Sequence, residues 1–196
     1  MSSDKLIYFR DGTLLSESGE VKIYKMDDEL FLEIGPGHSL WALESELNDY
    51  IQQLGDLPNG DCLEIGLGLG VASRYMLTFP NVTSLTTVEL RGDVIAAHNL
   101  VKEQDRKYSL EYENSKNKHK ILNADGILYA YQTKMKYDFI FMDFYDRIDE
   151  ETLPIIADTV LACSRILKPG GRMLGWMDKS TPEFYYSIFR DIFGTY

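Results

Sequence analysis

From Asp61 onward the chain alternates short, nearly continuous apolar runs with segments whose apolar residues recur every three or four positions. CLEI, SLTTVEL, HKILNA, YDFIFMDF and RMLGWM read as strands. VASRYMLTF, DVIAAHNLVKEQ, GILYAYQTK, a stretch from about Thr152 to Leu167, and PEFYYSIFRDIF read as helices. A strand that is apolar at every position has to be covered on both faces. Repeated β–α units of this kind predict an α/β domain, a mostly parallel sheet with helices on either side. KPGG, Lys168 to Gly171, reads as a tight connection into the last strand.

Ahead of Asp61 the pattern differs. KLIYF, EVKIYKM and ELFLEI are short β-branched and aromatic runs, parted by the turn-like RDGT and DDE. GPG, Gly35 to Gly37, stops them. In SLWALESELNDYIQQL, the residues Leu43, Leu47, Tyr50, Ile51 and Leu54 stand at helical spacing, with Ser39 placed to cap the helix. LPNG, ending at Gly60, is a turn. The chain is thus expected to divide into a small N-terminal β-unit, residues 1–37, and a larger domain, residues 38–196.

Composition narrows the partners. A chain of 196 residues with 44% apolar and 12% aromatic residues can bury a sizeable core. No apolar run approaches the roughly 18 residues of a membrane span, and MSSDKLIYFR lacks a charged-then-apolar leader. The expected location is the cytoplasm. The formal net charge of −11 opposes phosphate backbones and argues against nucleic acid as a partner. The basic cluster Lys116–Lys120 reads as a solvated loop. A small neutral or cationic molecule suits this charge. Cys62 and Cys163 fall in apolar runs and read as core residues. His38, His98 and His119 have no ligating spacing, so no metal site is expected.

Candidate chemistry starts at LEIGLGLG, Leu63 to Gly70. A strand, a glycine turn and a helix expose backbone N–H groups at a partly positive helix end, which suits an anion or a nucleoside. The dinucleotide pattern G-x-G-x-x-G fails, because its third position falls on Val71; no Gly-Lys-Ser/Thr follows either. Glu89 ends the next strand, where an acid can accept both ribose hydroxyls. Asp125 ends the third and could accept from an adenine amine, or equally cap the helix after it. Asp143 and Asp146 close the fourth. All lie at the carboxyl ends of strands, where open α/β sheets bind ligands.

LEIGLGLG, TTVEL, NADG, YDFIFMDF and ILKPGGRML, in this order, resemble the successive motifs of class I S-adenosylmethionine-dependent methyltransferases, from about Asp61 to Met177. The resemblance implies a Rossmann-like fold. It implies that Gly66, Leu67, Gly68 and Gly70 wrap the methionine part of S-adenosylmethionine, with Glu64 on its amino group. Glu89 and Leu90 would hold the ribose side, and Asp125 with Gly126 the adenine edge. That fold continues with two more strands, which this sequence lacks, as a short form or a fragment would. The run Phe184, Tyr185, Tyr186, Phe189 and Phe193 would then need cover, for which another subunit is a candidate.

A narrower resemblance is to spermidine synthases, which carry a small N-terminal β-unit and a D-x-x-D after the fourth strand, as in Asp143-Phe144-Tyr145-Asp146. Those enzymes place an Asp inside the glycine loop, where this chain has Leu69; Glu64 precedes the loop, as in methyltransferases. On these grounds the expected activity is methyl transfer from S-adenosylmethionine to a small polar acceptor such as an amine. Asp143 would orient or deprotonate the nucleophile, beside the cofactor, while Tyr145 and Asp146 would shape the acceptor pocket. The alternative is aminopropyl transfer from decarboxylated S-adenosylmethionine. A second alternative is a non-catalytic nucleoside-binding module. His38 and Trp41, between the β-unit and the sheet domain, are candidates to roof the acceptor site, although Trp41 is expected rather to pack on a helix.

Overall fold

A computed structural model describes residues 13–26, 29–35, 40–42, 47–104, 115, 117–177 and 181–193, with the backbone alone at 18, 40–42 and 102–104. Four short strands come first: β1 (Thr13–Ser18), β2 (Val21–Met26), β3 (Glu29–Ile34) and β4 (Leu40–Ala42). They form an antiparallel sheet in that spatial order. Pattern reading placed a helix from Ser39; instead Leu40–Ala42 pairs with Glu33–Phe31 of β3. The helix there, α1 (Leu47–Leu54), is confined to the second half of the expected stretch. It buries Tyr50 and Leu54, whereas Ile51, read as part of the apolar stripe, is exposed. Pairing with an open strand edge outweighed local helical spacing, a tertiary contact that periodicity does not register. KLIYF, His38, Ser39 and Leu43 lie outside the described residues.

The second sheet holds β5 (Gly60–Ile65), β6 (Val82–Glu89), β7 (His119–Asn123), β8 (Tyr137–Met142) and β9 (Leu167–Gly175). All neighbours run parallel, in the order β7-β6-β5-β8-β9. The connecting helices are α2 (Val71–Leu77), α3 (Gly92–Gln104), α4 (Gly126–Gln132) and α5 (Leu153–Ser164), with α6 (Glu183–Phe193) last. This is the Rossmann-like α/β architecture that the apolar strands require. Cys62, Phe139 and Phe141 point into one core with α1, α2, α3 and the antiparallel sheet. Leu63, Ile65, Ile140 and Met142 point into the other, with α4, α5 and α6. Both cysteines are free and buried, and burial pushes each thiol up to about 12. Among the described residues, no helix is long and apolar enough to cross a membrane.

KPGG is not a connection but part of β9. Gly170 sits at φ 79°, and the pairing with β8 shifts register between Tyr137 and Phe139, so the glycines form a bulge within the ladder. Lys168 at this bulge reaches Asp61 at 2.9 Å and Asp138 at 2.8 Å, and draws both carboxyls below their ordinary range. These acids sit where β5 and β8 begin. The opposite end of the sheet is left for the site.

Strands after β5 step to one side of the sheet and strands after β8 to the other, so a crevice opens at the carboxyl ends between them. The ladder continues past the strand ends. Gly66 N donates to Val88 O (2.9 Å), Asp143 N to Ile65 O (2.8 Å) and Trp176 N to Met142 O (2.8 Å). The loops that follow therefore start from a rigid edge.

Candidate active site

A cavity of about 610 Å³ fills this crevice. Its floor is the glycine loop and the ends of β5, β6 and β8; Leu32, Ile34 and Gly35 of the small sheet, with Glu20, complete its wall. The two sheets are joined at its rim by Arg91, which reaches Glu20 at 3.3 Å and Asp93 at 2.8 Å.

The glycine loop answers first to its own backbone. Gly66, Gly68 and Gly70 have φ of 94°, 51° and 77°, the left-handed region that side chains resist. Leu67 and Leu69, between them, are buried. A Cβ on Gly66 would stand 2.0 Å from Asp143 O and 3.0 Å from Phe144 Cα. The close approach at this position is thus made by the chain itself, and it seats Asp143 against the loop. A Cβ on Gly68 would meet nothing within 4 Å, which leaves the loop's middle open to the cavity. Gly70 is the residue before α2 and does not line the cavity.

Glu89 is nearly buried and ties the loop to β6: Oε2 accepts from Leu67 N at 2.9 Å and Oε1 from Arg91 N at 2.8 Å. Desolvation raises its pKa against these bonds. A carboxylate has about four acceptor positions, so each oxygen retains one for a ligand hydroxyl. Leu90, Asp125 and Gly126 line the cavity next to it. Asp125 accepts from Leu128 N at 2.9 Å and so caps α4, while its side of the cavity stays lined by it. Gly126 is required by packing, since a Cβ there would come within 2.5 Å of Ile65.

Glu64 lies elsewhere than the expected contact with a cofactor amine would need. It is not among the cavity-lining residues but buried beneath them, where its Oε2 accepts from Ser73 and, at 2.5 Å, from Thr87. Thr87 in turn meets His119 Nε2 at 2.8 Å. Alternation along β5 explains this: Glu64 follows Cys62 onto the face covered by α2. Desolvation lifts its pKa to about 8, and the charges of Asp143 and Glu89 add to the effect. It is a hydrogen-bonded core residue whose surroundings disfavour ionisation.

Asp143, Tyr145 and Asp146 all line the cavity. Asp143 as a residue is half-buried at the cavity wall, and desolvation of its carboxyl lifts its pKa to about 6. A bond from the Tyr50 hydroxyl, 2.5 Å from Oδ2, works in the opposite direction. Tyr50 also lines the cavity and stands edge-on to Phe141. The sequence reading used Tyr50 only as a helix-core residue; nothing local distinguishes it from Leu47 or Leu54. Tyr145 donates to Trp176 O at 2.8 Å and packs edge-on against Phe144 and Phe189. Gly175 makes room for it, since a Cβ there would lie 2.6 Å from its hydroxyl. Of Trp41, only the β4 backbone is described.

Sheet order and glycine turn define a Rossmann-like α/β domain preceded by a small antiparallel sheet, with acids around the crevice at its switch point. Among solved structures, this chain is similar to spermidine synthase from Thermotoga maritima, with TM-score 0.71 and 18% identity over 94% of this chain and 63% of that one. A spermidine synthase in complex with the transition-state analogue AdoDATO gives 0.73 and 19%, over 93% and 64%. Precorrin 8w decarboxylase from Methanobacterium thermoautotrophicum gives 0.52 and 13%, over 80% and 74%. The chain thus spans less than two thirds of the length of either spermidine synthase. No protein-family profile and no curated protein sequence matches it. What these likenesses establish is the fold.

Proposed function

We propose that the protein binds an S-adenosyl sulfonium and transfers an alkyl group from it to a small amine, and that the group is the aminopropyl chain of decarboxylated S-adenosylmethionine. The observation that carries this reading is the charge of the cavity. Glu20, Glu89, Asp125, Asp143 and Asp146 line it, and among the described lining residues Arg91 is the one cation, already paired with Glu20 and Asp93. A decarboxylated donor and a diamine acceptor bring only positive charge into this field. The intact cofactor brings a carboxylate as well. Glu64, expected on the cofactor's amino group, lies beneath the cavity lining, and that amino group is common to both donors, so the carboxylate is the group that separates them.

The nucleoside would lie with its ribose on Glu89 and its base between Leu90, Asp125 and Ile127. The sulfonium supplies a carbon already activated for displacement by an amine lone pair, the C–N bond forming as the C–S bond breaks to leave a neutral thioether. Asp143, with a pKa near 6, holds the acceptor ammonium and takes its proton. Phe144 and Tyr145 line the cavity beside Asp143, and Asp146 anchors the distal charge. Catalysis here is mainly orientation.

Methyl transfer from intact S-adenosylmethionine is the second reading, favoured by Leu69. The glycine loop has no carboxylate to hold an aminopropyl amine, and the Leu69 side chain is buried. Incubation of each donor with putrescine separates the two. Methylthioadenosine and a polyamine support aminopropyl transfer; S-adenosylhomocysteine and a methylated amine support methyl transfer. Adenosyl binding without turnover on any amine would leave a binding module and sink both.

A further inference from the structure

Helix α1 lies across the carboxyl ends of β8 and β9 and is fastened to each by one side chain. Tyr50 donates to Asp143, the residue after β8. Three positions on, and so on the same helix face, Gln53 spends both halves of its amide on one residue beyond β9. Its Nε2 donates to Met177 O at 3.1 Å, and its Oε1 accepts from Met177 N at 2.8 Å. The neighbouring carbonyl, Trp176 O, receives the Tyr145 hydroxyl. Asp143, Tyr50, Gln53, Met177, Trp176 and Tyr145 therefore form a closed circuit of contacts, of which Tyr50, Asp143 and Tyr145 line the cavity.

An eight-residue helix has little stability of its own, so tertiary contacts set its position. Tyr50, Leu54 and the bond from Tyr75 to Gly55 O hold α1 to the body of the domain. Apolar contacts are tolerant of rotation, whereas a two-bonded amide on a fixed backbone is not. We propose that Gln53 is a positioning residue, whose clamp on Met177 fixes the rotation of α1 and thereby holds the Tyr50 hydroxyl on Asp143. Its significance for turnover rests on the acceptor role given to Asp143, but the geometric claim does not.

The test is therefore made on the ligand-free protein. The groups that bear on the Asp143 carboxyl are Tyr50 from α1, Glu64 from β5, Glu89 from β6 and the adjoining Tyr145. Carbon-13 NMR of the aspartate carboxyls, with the Asp143 signal identified by its loss in Asp143→Asn, reads that titration directly. Because the Tyr50 bond favours the carboxylate, Tyr50→Phe should move the midpoint upward by roughly one pH unit. Gln53→Met, similar in length but unable to bond Met177, should move it in the same direction, and should add nothing in a Tyr50→Phe background. An unmoved midpoint in Gln53→Met would overturn the proposal, as would a further upward shift when Gln53→Met is added to Tyr50→Phe. Gln53→Asn, too short for the clamp, serves as the second variant. Loss of the fold in both would also overturn it, by making the clamp a folding requirement. Failure of the transferase reading would show instead as normal titrations in a protein that turns over no amine.

Discussion

The hydroxyl of Tyr50 lies 2.5 Å from Asp143 Oδ2, joining residues 93 positions apart and linking a short helix outside the parallel sheet to the end of β8. This contact lowers the proton affinity of Asp143, against the desolvation that raises it. If Asp143 acts as a carboxylate, turnover falls on the acid side near pH 6. Tyr50→Phe removes a bond that stabilises the charged form, so that limb should move to higher pH by roughly one unit. Rate profiles of the two proteins, compared over the same pH range, decide it; superimposable acid limbs would remove Asp143 from proton transfer.

Glu64 makes a prediction about stability. Its folded pKa of about 8 exceeds the ordinary 4.5, so the folded state holds its proton more tightly than the unfolded chain does. That contribution is fully present below about pH 4.5 and is lost as pH rises through about 8. Asp143 adds a smaller loss of the same sign between 3.8 and about 6. The melting temperature should fall by roughly 3–6 °C between neutral and mildly alkaline pH. Glu64→Gln, which imitates the protonated acid, should flatten the decline. A decline of equal steepness in that variant would place the charge burial elsewhere.

Glu89 is expected to hold the nucleoside. Glu89→Gln keeps its size but replaces one of the two oxygens that accept from Leu67 and Arg91. Affinity for S-adenosylhomocysteine, measured by calorimetry, should drop by roughly 10- to 100-fold, the worth of hydrogen bonds to a charged group. Unchanged affinity would show that the ligand's hydroxyls go elsewhere.

The glycines separate structural need from ligand access. Gly66→Ala forces a Cβ to within 2.0 Å of Asp143 O at a φ of 94°, and should abolish folding or lower the melting temperature by more than about 10 °C. Gly68→Ala meets no atom within 4 Å and needs only a left-handed residue, at a cost of about 1 kcal/mol. It should remain folded and lose adenosyl affinity. Thermal melts of both variants, with and without ligand, test the contrast. A folded Gly66→Ala would mean that β8 can withdraw from the loop.

The parallel sheet was legible in the sequence because its strands are apolar at successive positions and its helices are not. Covering both faces of such strands leaves few alternatives. The acids at the strand ends were legible for the same reason, since strand boundaries locate the crevice. Two elements were misjudged. Leu40–Ala42 carried a plausible helical pattern but found an open strand edge. KPGG had the composition of a turn and forms a bulge because β8 runs alongside it.

By itself, then, the sequence determined the order of strands and helices, the glycine turn and the acids around the crevice, all of which follow from local patterning and chain direction. Tertiary structure decided which side chains face the cavity. Glu64 and Asp143 both look like strand-end acids, but one turns under α2 into a network of hydroxyls and the other lines the cavity and meets Tyr50. That choice depends on which face of a strand a helix covers and on which helix crosses its end. Both are set by contacts between segments far apart in the chain, and no local pattern records them.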